Sequence, residues 1–214
     1  ESKPTPAKAE ECAPLLIIHY LKRTEKMDCS KITEGFVGGA CGALPTGGTG
    51  TKVWLFNYDD IDRTGVTTTD DGDISVMAVK TGKKGVIFET VDNANLGEAT
   101  FNKGTYVDTY NHAVTLRVFK DDTEAKAWVN KLKGARVVAF VERKCIASCD
   151  NHIEVYGWDS GMKMADNPYS TTFTDNVAMA PKLETDDISK EMQLPRTYLG
   201  TEEALNALCQ TASN

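Results

Sequence analysis

From Lys52 onward the chain repeats one short-range pattern. Brief stretches rich in aromatic and β-branched residues, several alternating apolar with polar, are separated by turn residues. A period of two puts successive side chains on opposite faces of an extended strand, so it favours sheet over helix. "KVWLFNY" (52–58), "DISVMAV" (73–79), "GVIFETV" (85–91), "ARVVAFVE" (135–142) and "IEVYGW" (153–158) read as strands. "KTGKKG" (80–85) is the turn between the second and third of these. In "TYVDTYNHAVTLRVF" (105–119), Tyr106, Tyr110, Val114, Leu116 and Val118 share one parity. Thr109, Asn111, Thr115 and Arg117 share the other, which predicts one long strand with a wet face. "NVAMAPKL" (176–183) is a weaker strand, because Pro181 has no N–H for a ladder and points to an edge.

One segment breaks the period. In "DDTEAKAWVNKLKG" (121–134), Ala125, Trp128, Val129 and Leu132 form a single helical stripe. Asp121 with Glu124 resembles a capping box, and Gly134 can close the far end. A second, short helix is expected in "GTEEALNALCQ" (200–210), capped by Thr201, with Leu205 and Leu208 as its stripe and a frayed end. Strands, then a helix, then strands, without β-α-β alternation, argue against a doubly wound parallel sheet. The expected fold is mainly β: an antiparallel sandwich or partly closed barrel with one flanking amphipathic helix and a short C-terminal helix. Its sheet edges need cover, and subunit association is one way to supply it.

The length of 214 residues suits one domain, and the composition is that of an ordinary globular chain. A net charge of −7 argues against a protein that grips nucleic acid through its phosphates. It suits a surface from which nucleic acid is repelled. Six cysteines (12, 29, 41, 145, 149, 209) are scattered through the chain with no secretory signal, so free thiols are expected rather than a disulfide framework. "APLLIIHYL" (13–21) is too short to span a bilayer and has the wrong flanks for a signal peptide. "MDCSKITEGFVGG" from Met27 reads as a natural start. Residues 1–26 are therefore expected to be an upstream extension outside the folded unit, such as an over-long reading frame. The alternative is an arm that pairs with a neighbouring subunit.

Motifs for catalysis are missing. The glycine-rich "GFVGGACGALPTGGTG" (35–50) is a loop, but Gly50-Thr51-Lys52 does not complete a phosphate loop, and "KTGKKG" lacks the hydroxyl residue. Of the three histidines, His19 lies in the extension and His112 in the long strand, where a packed side chain is the simpler role. Among the acidic clusters "NYDDID" (57–62), "TTTDDGDIS" (67–75) and "ETDDIS" (184–189), the "DDGD" stretch resembles a calcium loop but lacks its alternating spacing and closing glutamate. All three read as turns, with Asp71-Gly72 as a hairpin signal.

"KCIASCDNH" (144–152) invites a zinc reading. Cys145, Cys149 and His152 supply three ligands and leave the fourth unnamed. Both flanks are strand-like, and Asp150-Asn151 are turn formers. The stretch is read as a hairpin loop carrying either a cross-loop disulfide or two free thiols, with no metal and no cofactor expected.

The order of the pieces carries a resemblance. "VWLFNYDDID", "TVDNANLGEATFNKGTYVDTYNHAVTLRVF", "TEAKAWVNKLKG", "VVAFVERK…IEVYGWDSGM" and "LETDDISKEMQLPRTYL" together resemble a structural protein of tailed bacteriophages of gut Bacteroidales, tail-tube-like or neck-ring-like. The resemblance spans roughly residues 27–200, leaving 201–214 as a helical tail. It implies a β-sandwich with one flanking helix, assembled with copies of itself into a ring or tube beside other tail or neck proteins. A long hairpin or loop would touch the next ring. DNA would pass through without being held, no membrane or active site would be involved, and the place would be the virion, assembled in the host cytoplasm. The glycine-rich segment 35–50 and the acidic loops carrying Asp59, Asp60, Asp62, Asp70, Asp71 and Asp73 would be contact regions, as would the loop of Cys145 and Cys149. Two other classes stay open. One is a carbohydrate- or cell-surface-binding β module using Trp54, Trp158 and tyrosines, whose simpler role is core packing. The other is a metal-dependent hydrolase.

Overall fold

The computed structural model describes residues 47–144, 152–166, 169, 179–186 and 190–210. Contacts divide the chain into Glu1–Leu44 and Pro45–Asn214, and all the described residues belong to the second unit. The extension 1–26, most of the glycine-rich segment, His19, Cys12, Cys29, Cys41, Cys145 and Cys149 lie outside the described residues, as do 176–178 and 187–189.

The apolar run of the "VVAFVE" segment forms strand β7 (Val137–Arg143), and the sheet branches from it. Along one edge it pairs with β1 (Thr49–Asn57), which pairs in turn with β4 (Gly85–Glu89). Along the other it meets β8 (Ile153–Tyr156) and then β9 (Met162–Met164). From β8 the sheet continues through β11 (Arg196–Tyr198) and β3 (Ile74–Val76) to β2 (Thr67–Thr68). From β9 it continues through β10 (Lys182–Thr185) and β6 (Thr109–Thr115) to β5 (Leu96–Asn102). A last short strand, β12 (Cys209–Gln210), lies against β4. These twelve strands make a single mainly-β sheet that does not close. Its pairings are antiparallel except β3 with β11 and β4 with β12, so the expected antiparallel sheet is in fact mixed.

The middles of the central strands, Val53–Phe56 in β1 and Val137–Val141 in β7, are continuously apolar because both their faces are covered, and a strand covered on both faces loses its polar alternation. Trp54, Phe56, Val138, Phe140, Ile153 and Val155 point into one core with Ile74, Tyr198 and Leu205. Val53, Leu55, Val137, Ala139 and Val141 point the other way, into a core with Val114, Leu116, Tyr156, Met162 and Leu183. Phe140 meets Phe56 and Tyr198 edge-on, with ring centroids 5.3 and 5.5 Å apart. The two cores give the sheet its sandwich-like character.

Helix α1 (Thr123–Leu132) buries Ala125, Val129 and Leu132, the stripe read from the sequence. Its half-buried Trp128 stacks on Phe88 of β4 at 5.2 Å. The cap is one residue later than expected. Asp122, not Asp121, accepts from Ala125 N–H at 2.7 Å, while Asp121 pairs with Lys126 on the surface. Gly134 does not take a left-handed turn; the helix ends through Lys133, whose N–H donates to the Asn130 carbonyl at 3.3 Å. Helix α2 (Glu202–Ala207) is capped by Thr201 as expected and buries Leu205 completely. It ends at Ala207, and Cys209 and Gln210 then pair with β4 as β12.

The predicted long strand 105–119 is shorter than expected, for a physical reason. Residues 103–108 are the tip of a hairpin whose first arm, β5, carries the polar sequence "LGEATFN". His112, Val114, Leu116 and Val118 are buried, as their parity predicts, but Tyr106 sits on the tip and is 97% exposed.

Candidate functional site

Two constellations stand out. One is buried and polar, the other exposed and apolar.

The buried one grips the turn "GWDSG" (157–161) between β8 and β9. Gly157 and Gly161 adopt φ of 70° and 71°, which a β-carbon would oppose, and Gly161 N–H closes the turn on the Gly157 carbonyl at 2.9 Å. Its outward carbonyls are taken by three side chains. Arg63 Nη2 donates to Trp158 O at 2.7 Å, the Tyr58 hydroxyl to Asp159 O at 2.6 Å, and Arg136 Nε to Ser160 O at 2.6 Å. The two guanidinium groups also lie over aromatic faces, Arg63 at 4.0 Å from Trp158 and Arg136 at 3.8 Å from Tyr58. The turn's N–H groups are taken by Glu191, which is 2% exposed. Its carboxylate accepts from Asp159 N at 2.8 Å, Ser160 N at 2.9 Å and the Ser160 hydroxyl at 2.7 Å. Such bonds to backbone donors are what let a carboxylate stay buried.

His112 closes the same network. Gly157 N–H donates to Nδ1 at 3.2 Å, so Nε2 carries the proton and donates to Gln193 O at 2.9 Å. Burial holds its pKa below the ordinary histidine value, against the raising effect of Glu191. Both ring nitrogens are committed to backbone, which makes His112 a packed structural side chain. Asp159 faces Arg196 at 2.9 Å; burial raises its carboxyl pKa, Arg196 opposes that, and Glu191 adds to it. Arg196 also donates to Gly72 O at 2.7 Å, tying the β2–β3 hairpin to the clamp.

The acidic loops are turns in the described structure. The Asp62 carboxylate accepts from Thr64 N–H and hydroxyl at 3.1 and 2.7 Å, and these bonds hold its pKa below the usual range. Asp60 accepts from Asn57 at 3.0 Å, and Asp59 O from Lys80 at 2.6 Å. Asp70, Asp71 and Asp73 border the hairpin turn at Gly72 (φ 90°), and Asp73 accepts from Thr197 N–H at 2.9 Å. The hairpin signal read from Asp71-Gly72 is therefore correct. Asp59, Asp70 and Asp71 are exposed, Asp60, Asp62 and Asp73 half-buried. Trp54 and Trp158 lie in the core, at 0% and 6% exposure, and offer no sugar-stacking face. Arg143 N–H donates to His152 O at 2.7 Å, continuing the antiparallel pairing of β7 with β8; Cys145 and Cys149, between them in the chain, lie outside the described residues.

The exposed constellation is the β5–β6 hairpin, which sequence reasoning missed. Among the described residues β5 pairs only with β6, so its outer edge is open. Leu96, Phe101, Tyr106 and Val107 are all exposed along it, with Phe101 edge-on to Tyr110 at 5.6 Å. At the base of the hairpin lies a cleft of about 420 Å³ bordered by Val91, Asn95, Leu96, Arg117 and Phe119. Asn95 is 4% exposed, and its Nδ2 has no acceptor among the described residues. The available signal was the alternation of Glu98 and Thr100 with Ala99 and Phe101. Gly97 concealed it, standing where a β-carbon would strike the Tyr156 ring and hydroxyl. Among the described residues no helix is long and apolar enough to cross a membrane. No protein-family model, curated protein or solved structure matches the chain.

Proposed function

We propose that this chain is a virion structural protein that associates with copies of itself into a ring or tube, part of a phage tail or neck conduit. The observation that carries the reading is the outer edge of β5, open among the described residues, together with the exposed apolar residues of its hairpin. An unpaired edge is a template for another strand, and proteins that remain monomeric cover or charge such edges. The resemblance in segment order supplies the phage assignment, and the net charge of −7 suits a conduit through which DNA moves without being held. The acidic loops carrying Asp59 to Asp73 and the loop of Cys145 and Cys149 are further proposed contacts between copies.

The test is assembly state. Negative-stain microscopy and light scattering of the purified chain should show rings or tubes of uniform diameter. A Tyr106→Asp, Val107→Asp double variant should keep the thermal transition and lose the assemblies. A strictly monomeric wild-type chain at high concentration would sink the proposal.

A further inference from the structure

Three potential metal ligands from three separate places in the chain meet near the C-terminal end of β7. Glu142 comes from β7, His152 from the residue before β8, and Glu202 from the first turn of α2. The imidazole offers one ligand atom and each carboxylate one oxygen, and these atoms lie within 4.8 Å of one another. Ligands around a divalent transition ion at about 2.0–2.2 Å stand some 3–4 Å apart, so a small side-chain movement would close the set. All three residues are half-buried, close to solvent but held by the fold.

The fold shapes this place around Glu142. The register of β1 against β7 slips between Thr49 and Val53, opening the ladder opposite Glu142. Into that gap Glu142 turns its carboxylate, and Lys52 N–H donates to its Oε2 at 3.2 Å. Gly50 makes the room: a β-carbon there would lie 2.3 Å from the Glu142 carboxyl. One oxygen of Glu142 is thus anchored and the other is left to a ligand. The place already holds a cation, since the Lys52 ammonium pairs with the Glu202 carboxylate, which raises the lysine pKa. Two carboxylates against one lysine leave a net charge of −1 to attract another.

We propose that Glu142, His152 and Glu202 form a binding site for one divalent first-row transition ion such as Zn²⁺, with Lys52 as the competing internal cation. One nitrogen and two oxygen ligands suit this class better than Mg²⁺ or Ca²⁺, which take oxygen alone. Three protein ligands leave a fourth position for water or an incoming group. The set differs from the cysteine-based one suggested by "KCIASCDNH": it keeps His152 and replaces the thiols with carboxylates. It lies away from the β5–β6 hairpin in sequence and in sheet order, so its test does not depend on that edge.

The experiment is titration of the metal-free, untagged chain with Zn²⁺ by calorimetry, repeated with Co²⁺ to read the ligand field. One ion per chain is expected, with a higher unfolding temperature when Zn²⁺ is present. His152→Ala and Glu202→Gln should each lose the binding, while the Cys145→Ser, Cys149→Ser double variant should keep it. Lys52→Ala should tighten binding, by about tenfold, because it removes the rival charge. This last arm stands even if a ligand variant fails to fold, since a purely structural cluster would show no such gain. Absence of binding at millimolar Zn²⁺ would overturn the site. So would binding that survives His152→Ala, or binding lost with the two cysteines.

Discussion

Glu191 shows how one residue decides a local structure. The GWDSG turn directs two N–H groups and a hydroxyl at it, and without a carboxylate these donors would be buried and unpaired. Glu191→Gln keeps the volume but turns N–H₂ toward donors that need an acceptor. We expect a loss of about 2–3 kcal/mol, read from the midpoint of denaturant unfolding. An unchanged midpoint would mean that the turn holds through Tyr58 and its two arginines alone. His112 makes a second prediction. Its folded pKa lies below the ordinary value of about 6.5, so below that pH the unfolded chain binds more protons than the folded one. Stability from this residue is therefore full above about pH 6.5 and declines as pH falls toward the depressed folded value. Asp159 acts in the opposite sense. Its raised pKa contributes stability that is full below the ordinary carboxylate value and is lost as pH rises through the folded one. Unfolding midpoints between about pH 7 and pH 5 should fall in the wild type and flatten in His112→Gln.

At the scale of elements, the cap of α1 separates two neighbouring aspartates. Asp122→Ala removes the bond to Ala125 N–H and should cost about 1 kcal/mol, whereas Asp121→Ala, which loses a surface pair, should leave the melting curve nearly unchanged. Leu205→Ala, in the short helix α2, should cost about 2–5 kcal/mol because its side chain is fully enclosed in the main core. Thermal unfolding of the three variants checks both statements. Elements that bury a stripe or a continuous apolar run were legible in the sequence. Val129 and Leu132 announce α1, and Val138 and Phe140 announce β7. Elements set by tertiary context were not. β5 is polar with a glycine inside it, and β12 is two residues long, so neither carries a period of its own. The site suffered similarly. His152 was visible, but Glu142 and Glu202 reach it only through a strand register and a helix start that have no signature in the chain.

The described residues form an open sheet with three arms leaving β7, and openness has a measurable form. Hydrogen exchange should find amides of β1, β7 and β8 the slowest, as each lies between two neighbours and two cores. Alternate amides of β5, those facing away from β6, should exchange quickly in an isolated chain and become protected upon assembly. Uniform protection of β5 in a dilute monomer would contradict the proposed function. The branching at β7 also bears on how the chain is made. A ribosome delivers β1, β4, β5 and β6 before the strand that joins their arms exists. Until β7 emerges, β1 has only β4 to pair with, and the apolar faces of both strands have no sandwich to enter. The central pairing therefore follows synthesis of most of the chain, which puts long-range contact formation and shielding of the nascent strands ahead of stability as the hazard in its biogenesis. A chain terminated just before β7 should collect in inclusion bodies rather than yield a smaller soluble domain.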